Sequence, residues 1–269
     1  MRVRFGDKTR LMGVLNVTPD SFSDGGEHYD SAKAFSHARK MIGEGADIID
    51  VGGESTRPGA KSLSLKEELG RVLPAIKEIT GEYDIPVSID SYKPDVVKAA
   101  LNAGASMVND VNGLRTPGMA ELVAGHGVPV CIMHMQGSPS SMQDNPEYDD
   151  VVCEIKAFLG KQAGYAESKG VDAKNILVDP GIGFGKTVEH NLEILRRIDE
   201  FKDLGYPLVV GHSRKSFIGK TLDLPVGERV NATVAVTAYL VSHGVELVRV
   251  HDVRENREAL DLIGRIVMR

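Results

Sequence analysis

Cysteine is scarce in this sequence, and long apolar runs are missing. Two cysteines among 269 residues, Cys131 and Cys153, exclude a disulfide-rich fold, and their spacing does not match a zinc site. We expect both to be buried free thiols. No apolar run approaches the roughly 20 residues that a membrane-spanning helix needs. The first ten residues contain no apolar core of a secretory signal. We therefore expect a cytoplasmic protein that does not enter a membrane.

Positive charge is not in excess either. Lysine and arginine number 32 against 38 aspartates and glutamates, which gives a formal net charge of -6. Such a chain has no general attraction to nucleic acid or to an anionic membrane, so any anion site must be local. The apolar fraction of 42% and the charged fraction of 26% are ordinary for a soluble globular protein.

What the chain does contain is a regular alternation of short apolar runs and segments with helical periodicity. The apolar runs predict eight strands: Leu11–Val17, Ile48–Val51, Ile85–Asp90, Ser106–Val111, Val128–Met133, Asn175–Asp179, Pro207–Gly211 and Leu247–Val250. The segments between and after them predict about eight helices, among them Ser31–Glu44, one behind a capping box at Ser64–Glu67, one from Pro94, one opened by Thr116 and Pro117, Val151–Lys169, Val188–Phe201, Glu228–His243 and one after Asp252.

Strict alternation predicts a parallel sheet covered by helices. Eight units in this length favour a (β/α)8 barrel over an open doubly wound sheet. No linker or change of composition divides the chain, so we expect residues 1–269 to form one domain.

Polar side chains follow strand after strand, at the end of a barrel where active sites lie. A lone Asp or Asn at such a place is usually a helix cap or turn residue, and Asp110 has that alternative. The most concentrated group is Ser213–Ser216, which follows the seventh strand. It could bind a phosphate, a carboxylate or both, or be a solvated basic turn. The other candidates are Asn16, Asp50, Asp90, Asn109, Met133, Asp179, Arg249 and His251.

These candidates divide into two chemical groups. Asp90, Asn109 and Asp179 are rich in acceptors and suit a heterocycle with amino and ring N–H donors. A second group is rich in donors and suits a phosphate or diphosphate; its members are Arg57, Lys215, Arg249 and His251. Neither a P-loop nor a GxGxxG fingerprint is present, and no HExxH motif occurs. A Mg2+ ion held mainly by substrate phosphates would need only one or two protein oxygens.

Eight segments, in order, resemble the dihydropteroate synthase family over nearly the whole chain. They are MGVLNVTPDSFSDGG (12–26), DVGGESTRPG (50–59), VSIDSYKP (87–94), VNDVNG (108–113), MHMQGSPSSMQ (133–143), DPGIGFGK (179–186), SRKSFIG (213–219) and RVHDV (249–253). The resemblance implies a (β/α)8 barrel, a homodimer, and the condensation of 6-hydroxymethyl-7,8-dihydropterin diphosphate with 4-aminobenzoate. The products would be 7,8-dihydropteroate and pyrophosphate, and the enzyme would be a sulfonamide target.

The resemblance also implies a role for each matching site residue. The pterin would contact Asp90, Asn109, Val111, Met133, Asp179 and Lys215. Asn16 would bind Mg2+, and the diphosphate would contact Asn16, Arg57, Arg249 and His251. The 4-aminobenzoate would contact Phe22, Thr56, Pro58, Phe184, Lys215 and Ser216. The residues expected to act in the reaction are Asp90, Asp179, Lys215, Arg249 and His251.

Two alternatives remain at this stage. A pterin-dependent methyltransferase of the same barrel type would share the acidic pterin ligands but would not need the STRPG or SRKS segments. A non-catalytic pterin-binding protein would be expected to lack Asn16, Arg249 or His251. We expect His212, which has no family role, and His134 to be structural.

Overall fold

The computed structural model describes residues 5–6, 8–18, 27–55, 62–138 and 141–267, with side chains omitted for 27–31. In this part of the chain eight parallel strands form one sheet in the order β6-β5-β4-β3-β2-β1-β8-β7. A parallel bridge between Val178 and Leu208 joins β6 to the start of β7 and brings the sheet close to full closure. The predicted (β/α)8 barrel is confirmed. The strands are β1 Arg10–Asn16, β2 Ile48–Gly52, β3 Val87–Asp90, β4 Met107–Asp110, β5 Val130–Met133, β6 Ile176–Asp179, β7 Val209–Gly211 and β8 Leu247–Val250.

Helices alternate with the strands. They are α1 Glu27–Gly43, α2 Leu65–Glu82, α3 Pro94–Asn102, α4 Met119–His126, α5 Val151–Ser168, α6 Val188–Arg196, α7 Ser216–Leu222, α8 Val230–Ser242 and α9 Val253–Val267. The predicted capping box is present, because Ser64 Oγ accepts the N–H of Glu67 and the Glu67 carboxylate accepts the N–H of Ser64. In the described part of the chain, no helix has both the length and the apolar character of a membrane span.

Three helix predictions were inaccurate. Thr116 and Pro117 do not open a helix: α4 starts at Met119, and the Thr116 hydroxyl accepts the side-chain amide of Asn112. The helix predicted to reach Phe201 ends at Arg196 and continues as a 3-10 helix. The short helix α7, directly after β7, was not predicted as a separate element.

The barrel interior is apolar near the amino-terminal ends of the strands and polar near their carboxyl-terminal ends. Seven strands each contribute one residue to an apolar cluster that Phe5 covers: Met12, Ile48, Met107, Cys131, Leu177, Val209 and Leu247. Side chains two positions further along a strand face the same side. Those positions hold Val14, Asp50, Asn109, Met133, Asp179, Gly211 and Arg249. The alternation therefore places charged and amide groups in the carboxyl-terminal half of the barrel.

The two thiols differ in exposure. Cys131 lies in the apolar cluster and is buried, as predicted. Cys153 lies in the first turn of α5 and is exposed, so the prediction of a buried thiol was wrong for this residue. It belongs to the helix face that points away from the barrel, whereas Val151, Val152 and Ile155 face the core.

Candidate active site

Arg249 is at the centre of the polar layer. Its Nε donates to Asp50 Oδ2 at 2.6 Å, and a terminal N–H donates to Asp90 Oδ2 at 2.7 Å. The side-chain amide of Asn109 donates to the same oxygen of Asp50 at 3.0 Å. One cation from β8 thus joins acidic residues from β2 and β3, and its two carboxylate neighbours raise the pKa of the guanidinium further.

Asp50 is a functional candidate to which no role was assigned from the sequence. Its carboxylate is fully buried and contacts two residues that were assigned roles, Asn109 and Arg249. The sequence signal was present, because Asp50 interrupts a strand that is otherwise apolar up to its final glycine. A buried carboxylate in such a strand requires partners, and these are 59 and 199 residues away in the chain.

Burial is the largest influence on the pKa values of Asp90 and Asp179, the two carboxylates predicted to bind the pterin. It raises the pKa of Asp90 to about 7, although Arg249 acts in the opposite direction. It raises the pKa of Asp179 to about 6, against the N–H of Gly181, which donates to Asp179 Oδ1 at 2.7 Å. Among the described residues, Oδ1 of Asp50 and Oδ1 of Asp90 are buried acceptors without a hydrogen-bond partner. Both oxygens can accept N–H donors from a ligand.

Lys215 follows β7, beside the strand of Asp179, and the charges of Asp179 and Asp90 act on it. Its Nζ stands 4.0 Å from the centroid of the Phe184 ring, within the range of a cation–π contact. Burial and the nearby charge of Arg249 lower the pKa of Lys215 to about 8. Ser216 follows as the first, exposed residue of α7. Arg214, between Ser213 and Lys215, instead donates from its Nε to Asp252 at 2.8 Å.

His251 is held by Ser213. The backbone N–H of His251 donates to Ser213 Oγ at 3.1 Å, and the same Oγ lies 3.0 Å from His251 Nδ1. Burial lowers the pKa of His251 to about 3, so the imidazole is neutral. The Ser213 hydroxyl can either donate to Nδ1 or accept from it, so the contact fixes the orientation of the ring and not its tautomer.

The remaining predicted ligands lie around the same mouth. Val111, Met133 and Phe184 belong to one apolar cluster, which Tyr92 partly covers. Asn16 ends β1 next to Gly52: a Cβ on Gly52 would be 3.8 Å from Asn16 Oδ1 and 3.7 Å from Asp90 Oδ2. Four predicted site residues lie outside the described residues, namely Phe22, Thr56, Arg57 and Pro58.

Three polar residues near the mouth have structural roles. Asp110 accepts the backbone N–H groups of Asn112 and Leu114 at 2.8 and 2.9 Å, which is the turn role anticipated for it. His212 is buried with Nε2 2.9 Å from the Thr237 hydroxyl. His134 is also buried, and its Nδ1 lies 3.0 Å from Lys186 Nζ.

Comparisons with known proteins agree with this geometry. A family model described as "Pterin binding enzyme" matches residues 12–251. The dihydropteroate synthase of Clostridium beijerinckii is 48% identical over 98% of this chain and 96% of its own length. The Xanthomonas albilineans dihydropteroate synthase, solved with 4-aminobenzoic acid, is 43% identical with a TM-score of 0.92, over 97% of this chain and 93% of that chain. The Yersinia pestis dihydropteroate synthase, solved with a sulfonamide drug complex, is 41% identical with a TM-score of 0.92, over 99% of both chains.

Proposed function

This chain belongs to the dihydropteroate synthases, a family of pterin-binding enzymes, and we propose a course for its reaction from the barrel mouth. It is a transferase that joins a pterinylmethyl group to 4-aminobenzoate and releases pyrophosphate, and we propose that it is a sulfonamide target like the Yersinia pestis enzyme. One observation carries the assignment of roles. Asp90 and Asp179 line the same mouth as Arg249, Lys215 and His251, so a heterocycle rich in donors and an anion can bind side by side.

The pterin ring binds at the carboxylates. The unpartnered Oδ1 of Asp90 accepts a ring or amino N–H, and Asn109 on β4 and Asp179 on β6 offer further acceptors. Donors from the pterin favour ionised carboxylates, opposing the burial that raises the pKa of both aspartates. Val111 and Met133 supply the apolar surface around the ring.

The diphosphate binds at Arg249 and His251. Arg249 uses two of its nitrogens for Asp50 and Asp90, which leaves the N–H groups of its third nitrogen for a phosphate oxygen. In the proposed complex the ring proton of neutral His251 lies on Nε2 and is donated to the diphosphate, while the Ser213 hydroxyl donates to Nδ1. Ser213 is therefore a positioning residue rather than a nucleophile.

The residues beside Gly52 suit Mg2+. Asn16 Oδ1 and Asp90 Oδ2 both lie within 4 Å of the place that a Cβ on Gly52 would occupy. Mg2+ prefers oxygen ligands and retains substrate phosphates in its coordination shell. We propose Asn16 as the protein ligand, since Asp90 is already paired with Arg249. Bound Mg2+ would neutralise negative charge on the diphosphate as the leaving group departs. Among the described residues, no cluster of three or more His, Cys, Asp or Glu competes for the ion.

The 4-aminobenzoate binds between Phe184 and the start of α7. Phe184 offers a ring face, and Lys215 and Ser216 offer a cation and a hydroxyl to the carboxylate. Diphosphate departure precedes attack by the arylamine, because the electron-rich pterin stabilises the resulting cation. Asp90 and Asp179 stabilise that cation electrostatically. The homodimer and the cytoplasmic location expected from the sequence stay predictions.

A pyrophosphate-release assay tests the function. Purified protein receives the pterin diphosphate and Mg2+, with and without 4-aminobenzoate, and dihydropteroate is identified by mass. We expect product that requires both substrates. Tight pterin binding with neither pyrophosphate release nor product would instead support the methyltransferase or the non-catalytic binding protein.

A further inference from the structure

Lys186 is a buried lysine that the reaction above does not use. Its side chain is 3% exposed, its Nζ donates to the Phe184 carbonyl at 2.8 Å and lies 3.0 Å from His134 Nδ1. Within the described residues it forms no ion pair with a carboxylate, and burial lowers its pKa to about 7. An ammonium group in such surroundings is costly. Its place therefore needs an explanation beyond packing.

Lys186 ends a loop that lies directly on the backbone after β5. Gly181 and Gly185 have φ angles of +70° and +61°. A Cβ on Gly181 would lie 2.0 Å from the His134 carbonyl oxygen, and a Cβ on Gly185 would lie 2.6 Å from the Gln136 carbonyl oxygen. This close approach explains the alternate glycines of the DPGIGFGK segment. His134 is neutral, since burial lowers its pKa to about 2, and its Nδ1 can accept a hydrogen bond from Lys186 Nζ. The lysine thus fastens the loop to its neighbour.

The loop carries Phe184, whose ring lies under Lys215. The Phe184 peptide is held at both ends: its N–H donates to the Gly181 carbonyl at 3.1 Å, and its carbonyl accepts Lys186 Nζ. The ring then stands 4.0 Å from Lys215 Nζ. A change in the Phe184 backbone would move the ring face relative to the cation of Lys215.

We propose that Lys186 is a positioning residue of the arylamine subsite, which holds Phe184 against Lys215 by binding the Phe184 carbonyl. The inference rests on the proposed function, because it takes Phe184 and Lys215 as ligands of 4-aminobenzoate. Of the proposed pterin ligands, Asp179 at the start of the loop and Lys215 above the Phe184 ring lie near Lys186, whereas Asp90 and Asn109 lie on strands outside the loop. The Phe184 carbonyl is the group that Lys186 binds directly, so Lys186 acts on the second substrate more than on the first.

The test is a Lys186→Met variant, which keeps the length of the side chain and removes its donors. We expect the KM for 4-aminobenzoate to rise about tenfold, since the buried hydrogen bond that holds the Phe184 carbonyl is lost. The Kd of the pterin diphosphate, measured by calorimetry, should rise less than the KM for 4-aminobenzoate, because Asp90 and Asn109 are untouched and only the charges of Asp179 and Lys215 feel the loss of Lys186. Lys220→Met is the matched control: Lys220 is an exposed lysine of α7 close to the same loop, and this variant should retain both constants.

A double-mutant cycle with Phe184→Leu separates positioning from general packing. If Lys186 acts through the ring, Lys186→Met should raise the KM for 4-aminobenzoate much less in the Phe184→Leu background. If Lys186→Met does not fold, Lys186→Gln, which keeps a donor for the Phe184 carbonyl, replaces it and should show the smaller rise in KM. Equal losses for both substrates, or additive effects in the cycle, would overturn the proposal. Absence of product with the unsubstituted protein would overturn the function itself.

Discussion

At the scale of single residues, Arg249 has two carboxylate partners, Asp50 and Asp90. Replacement of one partner can therefore change the reaction without a large loss of protein stability. Loss of one carboxylate leaves the guanidinium paired with the other, so it does not become an isolated buried charge. Asp50 and Asp90 are not equivalent, because Asp50 also accepts from Asn109 and is fully buried. Asp90 lies nearer the mouth, at the last position of β3.

Replacement of Asp90 tests this expectation. Asp90→Asn should lower kcat by about 100-fold, because an amide cannot stabilise a cationic pterin as a carboxylate does. The free energy of unfolding at pH 7 should not fall, because Asn can still accept from Arg249, Asp50 remains paired, and burial, which raises the pKa of Asp90, makes its charge costly in the fold. Steady-state kinetics and urea unfolding measure the two effects. A large loss of stability with unchanged kcat would make Asp90 a structural residue, and the exposed Asp203→Asn is the control.

We expect the ionised carboxylate of Asp179 to lower the free energy of unfolding, although it serves to bind the pterin. Its folded-state pKa of about 6 is above the ordinary value of 3.8, so the folded state holds this proton more tightly than the unfolded state. Stability is therefore lost as the pH rises through the window from about 4 to about 6. Asp179→Asn removes that loss and keeps an acceptor for the Gly181 N–H.

The prediction is tested by the difference in the free energy of unfolding between Asp179→Asn and the unsubstituted protein, measured at several pH values. We expect the stability of Asp179→Asn relative to the unsubstituted protein to increase by about 2–3 kcal/mol between pH 4 and pH 6.5, since each pKa unit corresponds to about 1.4 kcal/mol. Urea unfolding at several pH values checks it. A difference that stays flat across this window would show that Asp179 ionises in the fold as easily as in the unfolded chain.

At the scale of elements, a clamp of charged residues joins β2, α2 and β3. Lys93 Nζ contacts Glu54 at 2.6 Å and Glu68 at 2.7 Å, and donates to the Leu63 carbonyl at 2.7 Å. Glu68, which is 1% exposed, also accepts the Ser91 hydroxyl at 2.7 Å. The lysine thus fixes Glu54 and Leu63, which flank the segment 55–62.

Removal of the cation should be costly because two carboxylates lose their partner. We expect Lys93→Met to lower the free energy of unfolding by about 3 kcal/mol, the size typical of a broken buried pair. Lys174→Met is the control, since Lys174 pairs with Asp172 on the surface and such pairs contribute less than about 1 kcal/mol. Urea unfolding at neutral pH measures both. Equal small losses for the two variants would show that the clamp is as weak as a surface pair.

The elements also show what sequence patterns can and cannot determine. The strands were predicted well because each is an apolar run buried on both faces of a covered barrel. The end of the helix from Val188 was missed because Ile198 and Phe201 continue the apolar spacing into a 3-10 turn. The Lys93 clamp and the Asp50 contacts were not predictable, because their partners are 25 to 199 residues apart and depend on barrel closure.

At the scale of the whole molecule, one surface is unusually apolar. Three of the seven large apolar side chains exposed in the described residues lie in the last two turns of α9. Leu262 and Ile266 are 62% and 65% exposed and are four residues apart, so they share one helix face. Contiguous exposed apolar side chains mark protein interfaces more often than isolated ones do.

If the expected homodimer forms through this face of α9, substitutions there should convert the dimer to a monomer. A Leu262→Glu, Ile266→Lys double variant places a favourable charge pair on the helix while it makes the shared face polar. The unsubstituted protein should sediment at twice the chain mass of 29.1 kDa, and the double variant at the mass of one chain. Leu65→Glu, at an exposed apolar site on α2, should stay dimeric. Because the mouth is built from one barrel, the monomer should keep its pterin affinity; a dimeric double variant would exclude this face as the interface.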